Sequence, residues 1–204
     1  QPHLQKNGFA IRRGLPFRCD GEYLPVSLGD RLRRGMVVTL FPGSANEMTL
    51  LDLRFKSGCT DGPLSAATFE CGIVSEQLPA VAAWIEEQVR AGRRFAVLGD
   101  FNRRLALERG AARDAAGRVQ NMWATLVQAA PGRDGLLNVT GGQRFTKCVP
   151  GDAYDVYIDQ IVLGGGLAQR AVPRSFRRVT FTAEDARRFG LSDHCPVGIE
   201  LQLR

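Results

Sequence analysis

An α+β fold is predicted for this chain, because short apolar runs of strand character are interspersed with segments of helical periodicity. The run Phe95 to Leu98 is bounded by arginines before and Gly99 after, and is too short for a helix. Leu78, Val81, Ala82, Ile85 and Val89 recur on one helical face. Near the end, Val197, Ile199, Leu201 and Leu203 alternate with Gly198, Glu200 and Gln202, as in a half-buried strand.

Taken in order, Gln1 to Gly8 reads as a polar tail that includes His3. Phe9 to Arg13 and Met36 to Phe41 are predicted strands, separated by a loop in which LGDRLRRG makes a turn. Met48 to Phe55 is expected to pair with Met36 to Phe41 as an antiparallel hairpin, with Thr49, Leu51, Leu53 and Phe55 on one face and Asp52 and Arg54 on the other. Phe69 to Ala91 is an amphipathic helix in which Pro79 opens a second part or kinks a longer element. Asn121 caps a second helix running to Ala130, and the glycine-rich stretch to Cys148 reads as loops around short extended pieces. Tyr157 to Leu163 is a strand interrupted by Asp159, and Ala183 to Phe189 is a short helix ended by Gly190.

The chain has 204 residues, 44% of them hydrophobic, which suffices for one domain spanning 1–204. No apolar run approaches the length of a membrane span, and no signal-peptide core is present. A formal charge of +6 favours a phosphate-rich partner or an anionic surface without naming either. Most of the arginine doublets read as solvated surface; Arg103 and Arg104 are set apart because they directly follow GDFN. Five cysteines show no spacing suited to structural zinc.

The chemistry concentrates where the strand at Phe95 ends. Asp100 and Asn102 are two apart, so an extended backbone projects both to one side. A carboxylate can orient or deprotonate water, and an amide can donate to a phosphate oxygen; the competing reading is an Asx turn that only satisfies backbone. Asp159 sits among Ile158, Ile161 and Val162 and needs a partner to offset its desolvation. With His3 in a tail, imidazole chemistry falls to His194, beside Asp193. Cys195 reads as a small core residue.

GDFN at 99–102, YID at 157–159 and SDH at 192–194 together resemble the marks of the endonuclease/exonuclease/phosphatase superfamily, the DNase I-like enzymes. LRRGM, DLRFKSGC and the region from Cys71 to QLPAVAAWIEE look like a bacterial branch, so the resemblance spans most of the chain. It implies a four-layer αββα sandwich, N-terminally truncated or incomplete, because the family's upstream asparagine and metal-binding glutamate have no counterpart here. It implies a divalent-metal-dependent phosphoester hydrolase, most simply a nuclease or phosphodiesterase. Magnesium would be the cofactor, with manganese or calcium as substitutes.

By that resemblance Asp193 and Asp100 would ligate the metal, Asp100 and Asn102 would position water and phosphate, and His194 would exchange protons with its ring oriented by Asp159. Arg54, Lys56, Arg103 and Arg104 would bind substrate, nucleic acid or another phosphoester. Arg54 stands where relatives carry histidine in an HLKSG segment; arginine can clamp a phosphate but cannot serve as acid or base near neutral pH. A pairing of Arg54 with Asp52 is the competing reading. The resemblance also implies a Cys59–Cys71 disulfide, with separate buried thiols as the alternative, and a bridge would point to a secreted or periplasmic protein in preference to a cytoplasmic one. The missing upstream residues and Arg54 leave a second class open, a degenerate non-catalytic module that binds nucleic acid or other polyanions. A third possibility is a separate N-terminal segment that completes the site.

Overall fold

A computed structural model of the chain describes residues 6–61, 63–65, 68–108, 121–132, 135–151 and 154–203, which leaves His3 outside the described residues. Its frame is a six-stranded mixed sheet. The strands are β1 (Phe17–Tyr23), β2 (Gly35–Leu40), β3 (Met48–Arg54), β4 (Phe95–Asp100), β5 (Leu137–Asn138) and β6 (Asp159–Gly164). They lie in the order β1-β2-β3-β4-β6-β5. The expected hairpin forms: β2 and β3 pair antiparallel, with Val38 opposite Leu50 and Met36 opposite Asp52.

β3 and β4 are parallel, so a crossover must join them, and the helix α1 (Phe69–Arg90) supplies it. Thr68 caps α1 by accepting from the Cys71 amide. Pro79 does not break this helix; it lies on the exposed side, where water can take the Ser75 carbonyl that the ring leaves free. α2 (Met122–Ala129) begins as expected, with the Asn121 side chain accepting from the Ala124 amide at 2.9 Å.

Strand alternation gives the sheet two different faces. Leu51, Leu53, Phe55, Phe95 and Val97 pack beneath α1 and α2, where Val81, Trp84, Ile85 and Leu126 complete the larger core. Trp84 meets Phe95 edge-on at 5.8 Å between ring centroids. The opposite face carries Met48, Leu50, Ala96, Leu98, Ile161 and Leu163, and it meets the C-terminal segment through Ile199 and Leu201, of whose predicted strand only Val197–Gly198 forms a ladder. That second layer holds β7 (Arg177–Arg178) paired with β8 (Val197–Gly198), and between them in sequence α3 (Ala183–Phe189), which buries none of its residues. Helices on the outside, a large sheet and a small facing sheet make the α+β sandwich that the sequence predicts.

One predicted strand is not formed. Phe9 to Arg13 is irregular, and the first strand lies later, at Phe17–Tyr23. The apolar residues that suggested a strand are used differently: Phe9 and Ile11 line a small cleft with Phe17, Cys19, Met36 and Val38. This segment is tied down by the Gly8 amide, which donates to Asp52 Oδ2 at 3.1 Å.

Burial pushes the Asp52 carboxyl up to about 6, against the Gly8 and Leu53 amides that favour its ionised form. The folded protein therefore holds this proton more tightly than the unfolded chain. Stability contributed here falls as pH rises from the usual carboxylate range near 4 toward about 6. Asp52→Asn keeps an acceptor for Gly8 and removes the charge. With solvent screening discounted, the variant should be more stable by about 1 kcal/mol at pH 8 and equal to the native protein below pH ~4, as read by urea unfolding.

Candidate active site

β3, β4 and β6 set three charged residues in one row. Arg54 is the register partner of Asp100, and Asp100 is the register partner of Asp159, so all three project from the same face at the ends of adjacent strands. Gly99 makes the close approach possible. It sits at φ +125°, and a Cβ there would fall 2.1 Å from the Leu53 carbonyl oxygen, so any side chain would push β4 off β3.

The fourth member comes from the C-terminal layer. His194 Nδ1 lies 2.9 and 3.1 Å from the two Asp159 oxygens. Its Nε2 is 3.7 Å from Asp100 Oδ2, too far for a direct hydrogen bond but close enough for both to contact a third polar atom. A carboxylate facing Nδ1 accepts its proton, which leaves Nε2 as the free nitrogen of the neutral ring. The hydrogen bond to Asp159 raises the His194 pKa, burial opposes it, and the charges of Asp100 and Asp193 add to the rise. Asp100 is 9% exposed; burial pushes its carboxyl up, and the Asn102 amide and Arg54 act against that.

Asp100, Asp159 and His194 therefore converge, with one potential ligand atom from each within 4.8 Å of the others. Arg54 joins them through Nε, 3.1 Å from Asp100 Oδ2. This replaces the alternative pairing with Asp52, because parallel β3–β4 register puts Asp100 beside Arg54 while Asp52 is taken by Gly8.

Asn102 is close but differently employed. The strand ends at Asp100 and Asn102 turns left-handed, φ +48°, with its backbone amide on Asp100 Oδ1 at 2.8 Å. Its side-chain amide donates to Phe55 O at 2.9 Å and Asp100 Oδ2 at 3.0 Å. One amide hydrogen goes to the Phe55 carbonyl and the other to Asp100, so in this structure the Asn102 side chain anchors the carboxylate and its donors are engaged within the protein. The Asx-turn reading and the functional reading both hold here.

The remaining candidates are spread out. Asp193 is exposed on the rim and does not enter the three-residue group, although its charge bears on His194. Lys56 is fixed by its backbone amide on Gln77 Oε1 and turns its ammonium to the Ser57 carbonyl at 2.9 Å. Arg103 is a correction: its side chain is 2% exposed, bonded to Glu108 at 2.5 Å and to the Cys59 and Asp61 carbonyls, so it cannot reach substrate. Arg104 faces Asp61 and Asp155 at 3.7 and 3.4 Å, which commits its guanidinium to protein carboxylates.

Cys59 and Cys71 are bridged, tying the loop after β3 to the start of α1. A second bridge was not anticipated. Cys195 joins Cys148 across 47 residues, and therefore is no free core thiol. The bridge anchors the residue next to His194 to a distant loop, which restricts the imidazole. Three further cysteines, Cys19, Cys148 and Cys195, were the hint in the sequence, and which two of them pair cannot be read from that; Cys19 stays free.

No family model matches the chain, and no curated protein sequence matches it. Solved structures do. The 3′ phosphatase NExo from Neisseria, bound to a product DNA hairpin, is 15% identical with a TM-score of 0.56, over 95% of this chain and 72% of that one. The endonuclease domain of TRAS1, a telomere-specific non-LTR retrotransposon, is 14% identical with a TM-score of 0.51, over 95% and 72%. An AP endonuclease from Archaeoglobus fulgidus is 11% identical with a TM-score of 0.51, over 93% and 71%. The chain thus shares the DNase I-like fold of these solved structures.

Proposed function

We propose that the protein is a divalent-metal-dependent phosphoester hydrolase whose substrate is nucleic acid. The observation that carries this reading is the convergence of Asp100, Asp159 and His194, from two strands and the C-terminal layer, with an arginine against them. A lone structural histidine has no need of two carboxylates, one at each ring nitrogen. The positive balance of the chain and DNA-directed proteins of the same fold support the choice of substrate.

The donor set fits a hard divalent cation such as magnesium: Asp100 and Asp159 offer carboxylate oxygens, and the 3.7 Å gap between Asp100 and His194 leaves both approachable. When bound, such an ion would offset the charge of the phosphate. The chain's own residues do the rest. Asp159 holds the His194 ring so that Nε2 accepts a proton from the attacking water as its oxygen bonds to phosphorus. The bond from phosphorus to the leaving oxygen breaks, and protonated His194 or solvent returns a proton to that oxygen. Arg54, 32% exposed, is placed to exchange part of its pairing with Asp100 for a phosphate oxygen. Two disulfides support an oxidising compartment, secreted or periplasmic.

A non-catalytic polyanion-binding reading has its own support, because Arg54 and Asn102 occupy Asp100 Oδ2. The deciding experiment incubates the full polypeptide with labelled DNA, RNA and bis-(p-nitrophenyl) phosphate, with magnesium or with EDTA. Magnesium-dependent cleavage that EDTA abolishes is expected. Salt-sensitive binding with no hydrolysis of any of the three would instead establish the binding module.

A further inference from the structure

Gln160 follows Asp159 on β6 and is the register partner of Gly99, which precedes Asp100 on β4. Strand alternation turns its side chain to the face opposite the two carboxylates, into the protein, where it is 2% exposed. An amide buried there is costly unless its donors and acceptor are met. All of them are. Nε2 donates to the Tyr157 carbonyl at 2.8 Å and to the Arg103 carbonyl at 3.2 Å. Both partners can only accept, so the nitrogen must face them and Oε1 must face the other way. There Oε1 accepts from the Thr140 hydroxyl, whose proton is shared with Asn138 Oδ1 at 2.9 Å.

The two carbonyls lie where the strands stop. Pairing between the β4 and β6 segments runs on only as far as the Phe101 amide, which donates to Ile158 O. Past that bond one segment leaves through the left-handed turn at Asn102, φ +48°, and the other approaches through Tyr157. Gln160 ties the two together one residue beyond the turn. Within the turn, Asn102 holds Asp100 by its backbone amide at 2.8 Å and its side-chain amide at 3.0 Å. A shift of the turn therefore moves Asp100 against Asp159. A buried glutamine that served packing alone would affect stability; one that spans these two segments also sets the separation of the carboxylates.

We propose that Gln160 is a positioning residue of the site: its grip on the Arg103 and Tyr157 carbonyls fixes the Asn102 turn, and through Asn102 the spacing of Asp100 from Asp159 that a divalent cation requires. Thr140 orients the grip by holding Oε1. The inference rests on reading Asp100, Asp159 and His194 as a cation site, and it adds a residue that touches neither cation nor substrate. Partners that hold ligand side chains from behind in this way tune how well the ion is bound.

Gln160→Met keeps the side-chain volume and removes the grip. Two readouts on the full polypeptide separate positioning from packing: exchange of the Asn102 side-chain amide hydrogens by NMR, which needs no metal, and manganese affinity by calorimetry without substrate. In the variant the Asn102 exchange should quicken by about tenfold or more, and the manganese Kd should rise by about 10–100-fold. Thr140→Val is milder and should move both readouts the same way by less, so the test stands even where Gln160→Met folds poorly. Gln88→Met removes another glutamine that is 2% exposed, near the C-terminus of α1. It should lower the urea midpoint and leave both readouts at their native values. Native manganese affinity and native Asn102 exchange in Gln160→Met and Thr140→Val would overturn the positioning role and leave the cation site standing. An equal loss of affinity in Gln88→Met would also overturn it, by tracing the effect to stability. A native protein that binds no manganese would overturn the cation reading, and this inference with it.

Discussion

His194→Ala should lower phosphoester turnover by about 10²–10⁴-fold, the range for loss of a positioned proton-transfer group. Substrate affinity should change far less, because Arg54 remains. The fold should survive above the folded pKa of His194. The His194 pKa is raised in the folded protein, so its contribution to stability is fully present below the unfolded value near 6.5 and is lost as pH rises through the folded value. Above that value the ring is neutral, 25% exposed and tied only by its bond to Asp159, and truncation costs little. Turnover would be followed with labelled DNA and stability by urea unfolding. Retention of full, metal-independent turnover in the variant would remove histidine from the chemistry.

Arg103→Ala has the largest expected effect on stability. It should destabilise the protein by about 3–5 kcal/mol, because Glu108, only 9% exposed, would keep a buried charge without its partner. The damage would spread. Arg103 also binds the Cys59 and Asp61 carbonyls, and Glu108 Oε2 accepts from the Trp123 amide in the first turn of α2. The side chain thus ties the end of the GDFN loop to the disulfide loop and the second helix. The pair Arg103→Met with Glu108→Leu should recover much of the loss, since no lone charge remains. Urea unfolding of the single and double variants checks this. A substrate-binding arginine would behave oppositely, with KM raised and stability unchanged.

The contrast between Arg103 and Arg54 shows where reading the sequence reaches its limit. Features set by local chemistry were legible: the Asn121 cap, the α3 stop at Gly190 with φ +58°, and the β2–β3 hairpin all depend on neighbours close along the chain. The motif residues Asp100, Asp159 and His194 could be named from sequence, and the resemblance to DNase I-like enzymes gave the sandwich. What each arginine touches could not be read. Arg54 meets Asp100 only because a 22-residue helix returns the chain to a parallel neighbour in one particular register. Arg103 lies just past the motif and looked like a substrate contact, yet the turn at Asn102 sends it inward to Glu108. An acid five residues downstream was the available signal. Phe9 and Ile11 suggested a strand by composition, but they pack across the sheet without joining its ladder.

Asn102 carries a related lesson. Two-residue spacing puts side chains on one side only while the backbone stays extended, and here the extension stops at Asp100. The amide that could have faced substrate secures the carboxylate instead, and Arg54 is a half-buried cation against the same carboxylate. Arg54 favours the ionised form of Asp100, in the same sense as the pull of the Asn102 amide, while burial pushes its carboxyl up.

The most direct test of a site built from Asp100, Asp159 and His194 is the pH–rate profile of phosphoester hydrolysis for the native protein and for Asp159→Asn. The bond from Asp159 is the chief cause of the raised His194 pKa, and neutral His194 is the proton acceptor. The native rate should therefore rise with pH through a limb above 6.5, and in Asp159→Asn that limb should move to lower pH while the plateau falls. A limb that stays in place when the Asp159 charge is removed would contradict the coupling of the two residues, and with it the proposed site.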